Sequence, residues 1–273
     1  MVGLRVILIL TLILAAIIGQ ASDALEPVKI DSTKFVVIGD MLIEQNTVAM
    51  AHDSNDPDTL GARPLKVVLW TDGVLPIVFA KHVDQETRKL VWAACREWQS
   101  AANVRCKPGR YKGRRLYISR QFLGIKVGCW SMLGQEAYFL GIKRRMNLGQ
   151  GCNYYDIVLH ELGHALGLGH EHQRSDRDQY VKILRENLDD PYLGLGYKVN
   201  LSTQATELLN PYDFLSIMHY SRRSFSKNGE NTIVPLPAYA PYLDVMGQTE
   251  HLSEWDRVAI RNLYGPPLPQ FAK

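Results

Sequence analysis

The chain has 273 residues, 46% of them hydrophobic and 22% charged, a composition that excludes a disordered, collagen-like or low-complexity protein. Its length is enough to bury a sizeable core, as one large domain or two small ones. The formal net charge of +3 conceals an asymmetry: residues 25–61 carry seven acidic and two basic side chains, net −5, whereas residues 62–273 carry 28 basic and 20 acidic, net +8.

In chain order, residues 1–22 read as a secretory signal peptide. Arg5 supplies the positive end, Val6 to Ile18 is an apolar run, and small residues then offer cleavage after Ala21 or Ala24. The alternative is an uncleaved N-terminal anchor, although the run is short for a membrane span and no later stretch approaches one. Residues 23–61 form the acidic segment. It contains a strand-like run, Phe35-Val36-Val37-Ile38, ended by Gly39-Asp40, and a polar loop from His52 to Asp58. From Val67 the apolar content rises. Leu75 to Phe79 reads as a strand. Asp84 is placed to cap a helix running to about Ala101, with Leu90, Val91, Ala94 and Trp98 on one side. Leu116 to Ile118 and Cys129-Trp130 read as short strands, and a helix is expected from about Tyr154 to Gly167. Beyond it turn residues dominate and periodic signals weaken. Pro266, Pro267 and Pro269 close the sequence, no further module is expected after them, and no internal repeat is present.

The chemistry concentrates in His160-Glu161-Leu162-Gly163-His164-Ala165-Leu166-Gly167-Leu168-Gly169-His170. His160 and His164 are four apart, so on a helix both imidazoles leave one face and can grip one zinc ion. Glu161 sits beside the first ligand, within reach of a water held at such a site. Gly167 and Gly169 permit the positive φ that stops the helix and turns the chain, which brings His170 round as a third ligand. Three protein ligands leave positions open for water and substrate, the arrangement of a catalytic rather than a structural zinc site. The pattern, with a later Met-containing turn, is that of the metzincins. The alternative is an ordinary amphipathic helix with scattered histidines, which the added glycine and third histidine at this spacing oppose.

The sequence resembles one metzincin family, the astacins, which are secreted zinc endopeptidases. The likeness runs past the third histidine through Glu171-His172-Gln173-Arg174-Ser175-Asp176-Arg177-Asp178 and returns at Ser216-Ile217-Met218-His219-Tyr220, the family's Met-turn. Weaker agreement at Trp70, Gly73-Val74-Leu75-Pro76, Gly128-Cys129-Trp130-Ser131, Phe225 to Gly229, Leu252 to Asp256 and Asn262-Leu263-Tyr264 extends it over about residues 62–264. The resemblance implies an α+β fold of the metzincin type: a twisted sheet with two long helices, a less regular C-terminal half, and zinc in the cleft between these two subdomains. It implies zinc binding by His160, His164 and His170, with Tyr220 as a further, displaceable ligand that then stabilises the oxyanion. Glu161 activates the water and shuttles its proton, and Met218 floors the site. On this reading residues 1–22 are a signal peptide, 23–61 a propeptide and 62–273 the catalytic domain of a secreted zymogen.

Astacin zymogens carry an F-x-G-D motif whose aspartate occupies the zinc. Val37-Ile38-Gly39-Asp40 keeps the Gly and Asp but has Val for Phe, so Asp40 is the expected switch, against the alternative of an Asp in a turn after a strand. Activation in the family buries a new N-terminus near the glutamate after the third histidine, Glu171 here. The expected start near Gly61 or Ala62 lacks a dibasic signal, and Arg63 precedes a proline. Cys129 and Cys152 occupy positions of one family disulfide, which would stabilise by roughly 3 kcal/mol in the chain-entropy model. The other family bridge ends at a cysteine near the C-terminus, and none follows Cys152. Cys95 and Cys106 are then expected to pair with each other, two free thiols being the alternative, and the anchoring of the C-terminal tail is left in question. Arg105, Lys107, Arg110, Lys112, Arg114, Arg115, Arg120 and Lys126 form a basic run without an acid. It reads either as an attractor of acidic substrates, sulfated polysaccharide or the acidic segment, or as a solvated face. Asn200-Leu201-Ser202 is a glycosylation sequon. The partners implied are protein or peptide substrates and an activating protease, with no nucleic acid and no membrane once the signal is removed. A different metzincin is the first rival reading, opposed by Tyr220 and Glu171-His172. A secreted binding protein on a dead protease scaffold is the second, opposed by a complete ligand and base set.

Overall fold

The computed structural model describes residues 35–38, 40–44, 67–121, 128–135, 145–188 and 210–272. The signal peptide, the expected cleavage region at 61–64, the polar loop at 52–58, Lys126 and the Asn200 sequon lie outside these residues. No helix among the described residues is long and apolar enough to cross a membrane.

Asp84 caps the first long helix, α1 (Gln85–Ala101), its side chain accepting from the Thr87 N–H. The apolar face of α1 buries Val91, Ala94, Cys95 and Trp98, while Leu90 is half-buried at the border. A second helix, α2 (Tyr155–Leu166), packs on α1. Two buried indoles fasten it: Trp98 Nε1 donates to Leu159 O at 3.0 Å and Trp70 Nε1 to Ala165 O at 2.6 Å. The core between them joins these tryptophans to Leu75, Ile77, Leu116, Ile118, Leu148 and Leu162.

A seven-stranded sheet lies against the helices. Its strands are β1 (Phe35–Ile38), β2 (Met41–Glu44), β3 (Val74–Phe79), β4 (Arg105–Pro108), β5 (Leu116–Ser119), β6 (Cys129–Met132) and β7 (Arg145–Leu148), in the spatial order β1-β2-β6-β7-β5-β3-β4. The pairs β7–β5, β5–β3 and β3–β4 are parallel and β6–β7 is antiparallel. The acidic segment supplies β1 and β2, an antiparallel pair that extends the sheet beyond β6, with Met41 opposite Ser131 and Leu42 opposite Met132 in parallel register. Such addition of strands covers what would otherwise be an open sheet edge.

The C-terminal half holds a two-stranded pair, β8 (Val181–Ile183) with β9 (Ile233–Pro235), and a second apolar cluster around Tyr212, Phe214, Tyr220 and Ile233. It also holds a third helix, α3 (Glu254–Tyr264), beyond the two that the sequence pattern predicts. Its capping box is complete: Ser253 accepts from the Asp256 N–H and Asp256 accepts from the Ser253 N–H. Cys95 is bonded to Cys106 and Cys129 to Cys152, with no free cysteine. The first bridge ties α1 to β4; the second ties β6 to the approach to α2. No bridge reaches the C-terminus, where hydrogen bonds hold the chain instead. Arg261 Nε donates to Ala101 O at 2.9 Å, the Asn103 N–H to Gly265 O at 3.0 Å, and the Tyr264 hydroxyl to Leu166 O at 2.8 Å.

Candidate active site

Helix α2 ends at Gly167, whose φ of 110° lets its N–H satisfy the last carbonyls of the helix at Gly163 and His164. The left-handed residue is what allows the chain to fold back. His160 and His164 leave one face of α2, and the returning segment brings His170 against them, with ring centroids 4.6 Å apart for His164 and His170.

Each imidazole is oriented by its outer nitrogen. His160 Nδ1 lies 2.7 Å from Ile217 O, His164 Nδ1 2.8 Å from Leu168 O, and His170 Nδ1 2.7 Å from Gln173 Oε1. Carbonyl oxygens only accept, so Nδ1 carries the proton in each ring and the three Nε2 lone pairs face inward. The Nε2 atoms of His164 and His170 stand 3.1 Å apart. Neither lone pair can donate to the other, so the arrangement calls for a cation between them. Tetrahedral zinc ligands at about 2.0–2.1 Å from the ion stand about 3.3 Å from one another, and the donor set therefore fits zinc.

The fourth donor is Asp40, in the turn immediately before β2. Its Oδ1 is 2.7 Å from His170 Nε2 and 3.2 Å from His164 Nε2, and its Oδ2 is 3.2 Å from His160 Nε2. All four donor atoms lie within 4.8 Å of one another. Burial pushes the Asp40 pKa up, but His170 and His160 outweigh it and hold the carboxyl well below its ordinary range. Burial opposes charge on His160, yet Asp40 raises its pKa; His164, buried and facing His170, falls to about 4. Glu161 is 1% exposed, and its Oε2 has no hydrogen-bond partner. Burial, with Asp40 adding to it, raises its pKa well above that of a free carboxyl.

The turn through Met218 is wired to this cluster from below. Ile217 O receives the His160 proton, and Met218 O accepts from the Glu171 N–H at 3.1 Å. Asp256 of α3 anchors the turn, accepting from Ser216 Oγ at 2.6 Å and the Ile217 N–H at 2.9 Å; its own burial raises its pKa to about 6. The Met218 side chain packs under α2, where a Cβ on Gly163 would meet Met218 Sδ at 2.5 Å and Trp98 Cζ2 at 3.2 Å. The Tyr220 ring is buried between His172, at 4.0 Å, and His170, at 4.5 Å. Glu171 is buried beneath, accepting from the Asp213 N–H and from Arg174; burial lifts its pKa well above normal despite Arg174.

Asp40, His160, Glu161, Ile217 and Tyr220 are among the residues lining a cavity of about 300 Å³. Among the described residues, none of the basic run lines it. Arg105 and Lys112 bind Asp72, Arg114 binds Thr71, and Arg120 pairs with Asp84. Gln173 and Asp256 are supports that the sequence pattern does not single out. Both lie in astacin-like stretches, but neither stretch gives the role: Asp256 is marked further only by the Ser253-x-x-Asp256 spacing of a helix start, and Gln173 only by its place three residues after a ligand.

A profile of the astacin peptidase family matches residues 63–265. The chain is 35% identical to zinc metalloproteinase nas-8 of Steinernema carpocapsae, over 73% of this chain and 45% of that protein. It is 34% identical to the low choriolytic enzyme of Oryzias latipes, over 70% of this chain and 65% of that protein. It spans only 20% to 49% of the length of the zinc metalloproteinases nas-39, nas-8, nas-15 and nas-7. Among solved structures it is similar to high choriolytic enzyme 1, a hatching enzyme zinc-protease of Oryzias latipes. The TM-score is 0.62 at 30% identity, covering 73% of this chain and 94% of that one.

Proposed function

The chain belongs to the astacin family, and from that premise we propose that it is a secreted zinc endopeptidase made as a zymogen. The observation that carries the reading is the convergence of three Nε2 lone pairs beside the buried Glu161 carboxyl, whose Oε2 has no partner. His160, His164 and His170 hold the zinc. When bound, it supplies a Lewis acid that polarises a scissile carbonyl and brings the pKa of water to about 7. Glu161 takes the proton from the attacking water and returns it to the leaving amine; its burial keeps the proton within the cleft. Tyr220 donates its phenolic hydrogen to the oxygen that becomes negative as the carbonyl is attacked. Met218 holds the floor. The ladder edge of β6, covered here by β2, pairs with the backbone of an extended peptide once β2 has left.

Latency rests on Asp40. Its two oxygens take the place of water among the three histidines, and β1 and β2 lay the acidic segment along the sheet. Residues 1–22 direct export, residues 23–61 inhibit, and residues 62–273 form the catalytic domain. An activating protease cuts between the last two, and the new N-terminus settles near Glu171. The substrates are proteins or peptides. Incubation of the processed chain with a random peptide library tests the reading: cleavage at internal bonds, abolished by 1,10-phenanthroline and restored by zinc, is the expected result. Absence of cleavage by zinc-loaded, processed protein would refute it.

A further inference from the structure

The cavity beside the histidines has an uneven charge. Its lining includes three carboxylates, Asp40, Glu161 and Asp156, and no lysine or arginine among the described residues. Two of the three are already engaged: Asp40 leaves with the acidic segment, and Glu161 handles the proton. Asp156 is left. It is half-buried in the first turn of α2, and its side chain makes no hydrogen bond or ion pair among the described residues. The rest of the lining mixes Ser221, Ser224 and Thr249 with Ile217 and Phe225, and the buried Thr249 Oγ1 has no partner.

A carboxylate without a partner on the wall of a cleft attracts a cation. Asp156 lies one helical turn before His160, so the two side chains are neighbours on one face, with Cβ atoms about 5–6 Å apart. A substrate bond placed at the histidines therefore puts the side chains flanking it within reach of Asp156, and the long stem of a lysine or arginine spans that gap while keeping its apolar part against Ile157. We propose that Asp156 is a specificity-determining residue that selects substrates with lysine or arginine within two residues of the cleaved bond. The inference rests on the endopeptidase reading above. The competing account of Asp156 is purely structural: an acid in the first turn of a helix complements its dipole.

The test uses the processed chain and a set of fluorogenic peptides identical except at one site. Lysine, arginine, norleucine or glutamate is placed in turn at each of the two positions on either side of the bond. At one position kcat/KM for lysine is expected to exceed that for norleucine by about 10- to 100-fold, the range for a hydrogen bond to a charged group. In Asp156→Asn that ratio falls toward one, in Asp156→Lys it turns in favour of glutamate, and in Asp156→Glu it is kept. Wild-type protein that cleaves norleucine and lysine peptides equally at every position overturns the inference while leaving the endopeptidase reading intact. So does an Asp156→Asn variant that retains the ratio, even if its thermal stability drops as the dipole account requires. Failure of the wild-type chain to cleave any peptide refutes the endopeptidase reading and this inference together.

Discussion

Replacing Glu97 by glutamine should measure how the C-terminal part is held without a disulfide. Glu97 lies on α1 with its side chain 11% exposed. Its Oε2 accepts from the Tyr155 hydroxyl at 2.6 Å and from His251 Nδ1 at 3.0 Å. Its Oε1 accepts from the Leu252 N–H at 2.8 Å, with Arg257 Nη2 at 3.4 Å. One carboxylate thus binds α1, α2 and the segment leading into α3. In Glu97→Gln the amide oxygen can still receive the Leu252 N–H, while an NH₂ group faces Tyr155 and His251. Two hydrogen bonds to a charged acceptor become neutral or are lost, which costs about 2 kcal/mol. For a domain of this size that lowers Tm by about 4–8 °C at pH 7. The pH dependence has a definite sign. Burial raises the Glu97 pKa, but the bonds from Tyr155, His251 and Leu252 outweigh it and leave the pKa below its ordinary value. A lowered carboxyl pKa contributes stability that is present above the unfolded value of about 4.3 and is lost as pH falls through the folded one. Thermal unfolding followed by circular dichroism from pH 7 to pH 3 should therefore show a gap between wild type and variant that closes below about pH 4. No gap at pH 7, or a gap of constant size down to pH 3, would refute the reasoning.

Three further substitutions probe the site. Gly163→Ala puts a methyl group into Met218 Sδ and Trp98; overpacking of this kind costs about 1–3 kcal/mol, so Tm and zinc affinity should both fall, and a variant with wild-type values for both would mean the floor gives way freely. Tyr220→Phe removes one hydroxyl and should lower kcat by about 10²–10³, the loss typical of an oxyanion donor, with zinc content unchanged; an unaltered kcat would reduce Tyr220 to a packing role. In the unprocessed chain, Asp40→Ala should raise peptide hydrolysis above that of the wild type without any change of N-terminus on sequencing, whereas equal rates would remove Asp40 from the proposed latency.

The parts of the fold that can be read from the sequence are those whose cause is local. Helix α1 follows from the Asp84 cap and the apolar face through Val91, Ala94 and Trp98, and α2 from a run that ends where Gly167 can take a positive φ. The three histidines are legible because two share a helix face and the third follows a glycine turn. The order of the sheet is not, since β2 finds β6 across about ninety intervening residues and no pattern within either strand encodes that register. Helix α3 escapes because it follows a stretch of turn residues with weak periodicity, and of its six hydrophobic residues only Ala259 and Ile260 are fully buried. The Glu97 cluster joins residues 155 apart, and Ile217 O and Leu168 O orient their histidines through backbone atoms that carry no sequence signal at all.

Three histidines holding zinc, with Glu161 working beside it, make the active site. The most direct test is the processed Glu161→Gln protein, with metal content and peptide hydrolysis measured on the same sample. One zinc ion should be retained by the three histidines, with hydrolysis reduced by at least about 10²–10⁴ relative to wild type. Zinc-loaded Glu161→Gln that hydrolyses peptides at the wild-type rate, or wild-type protein that hydrolyses them without zinc, would contradict this assignment.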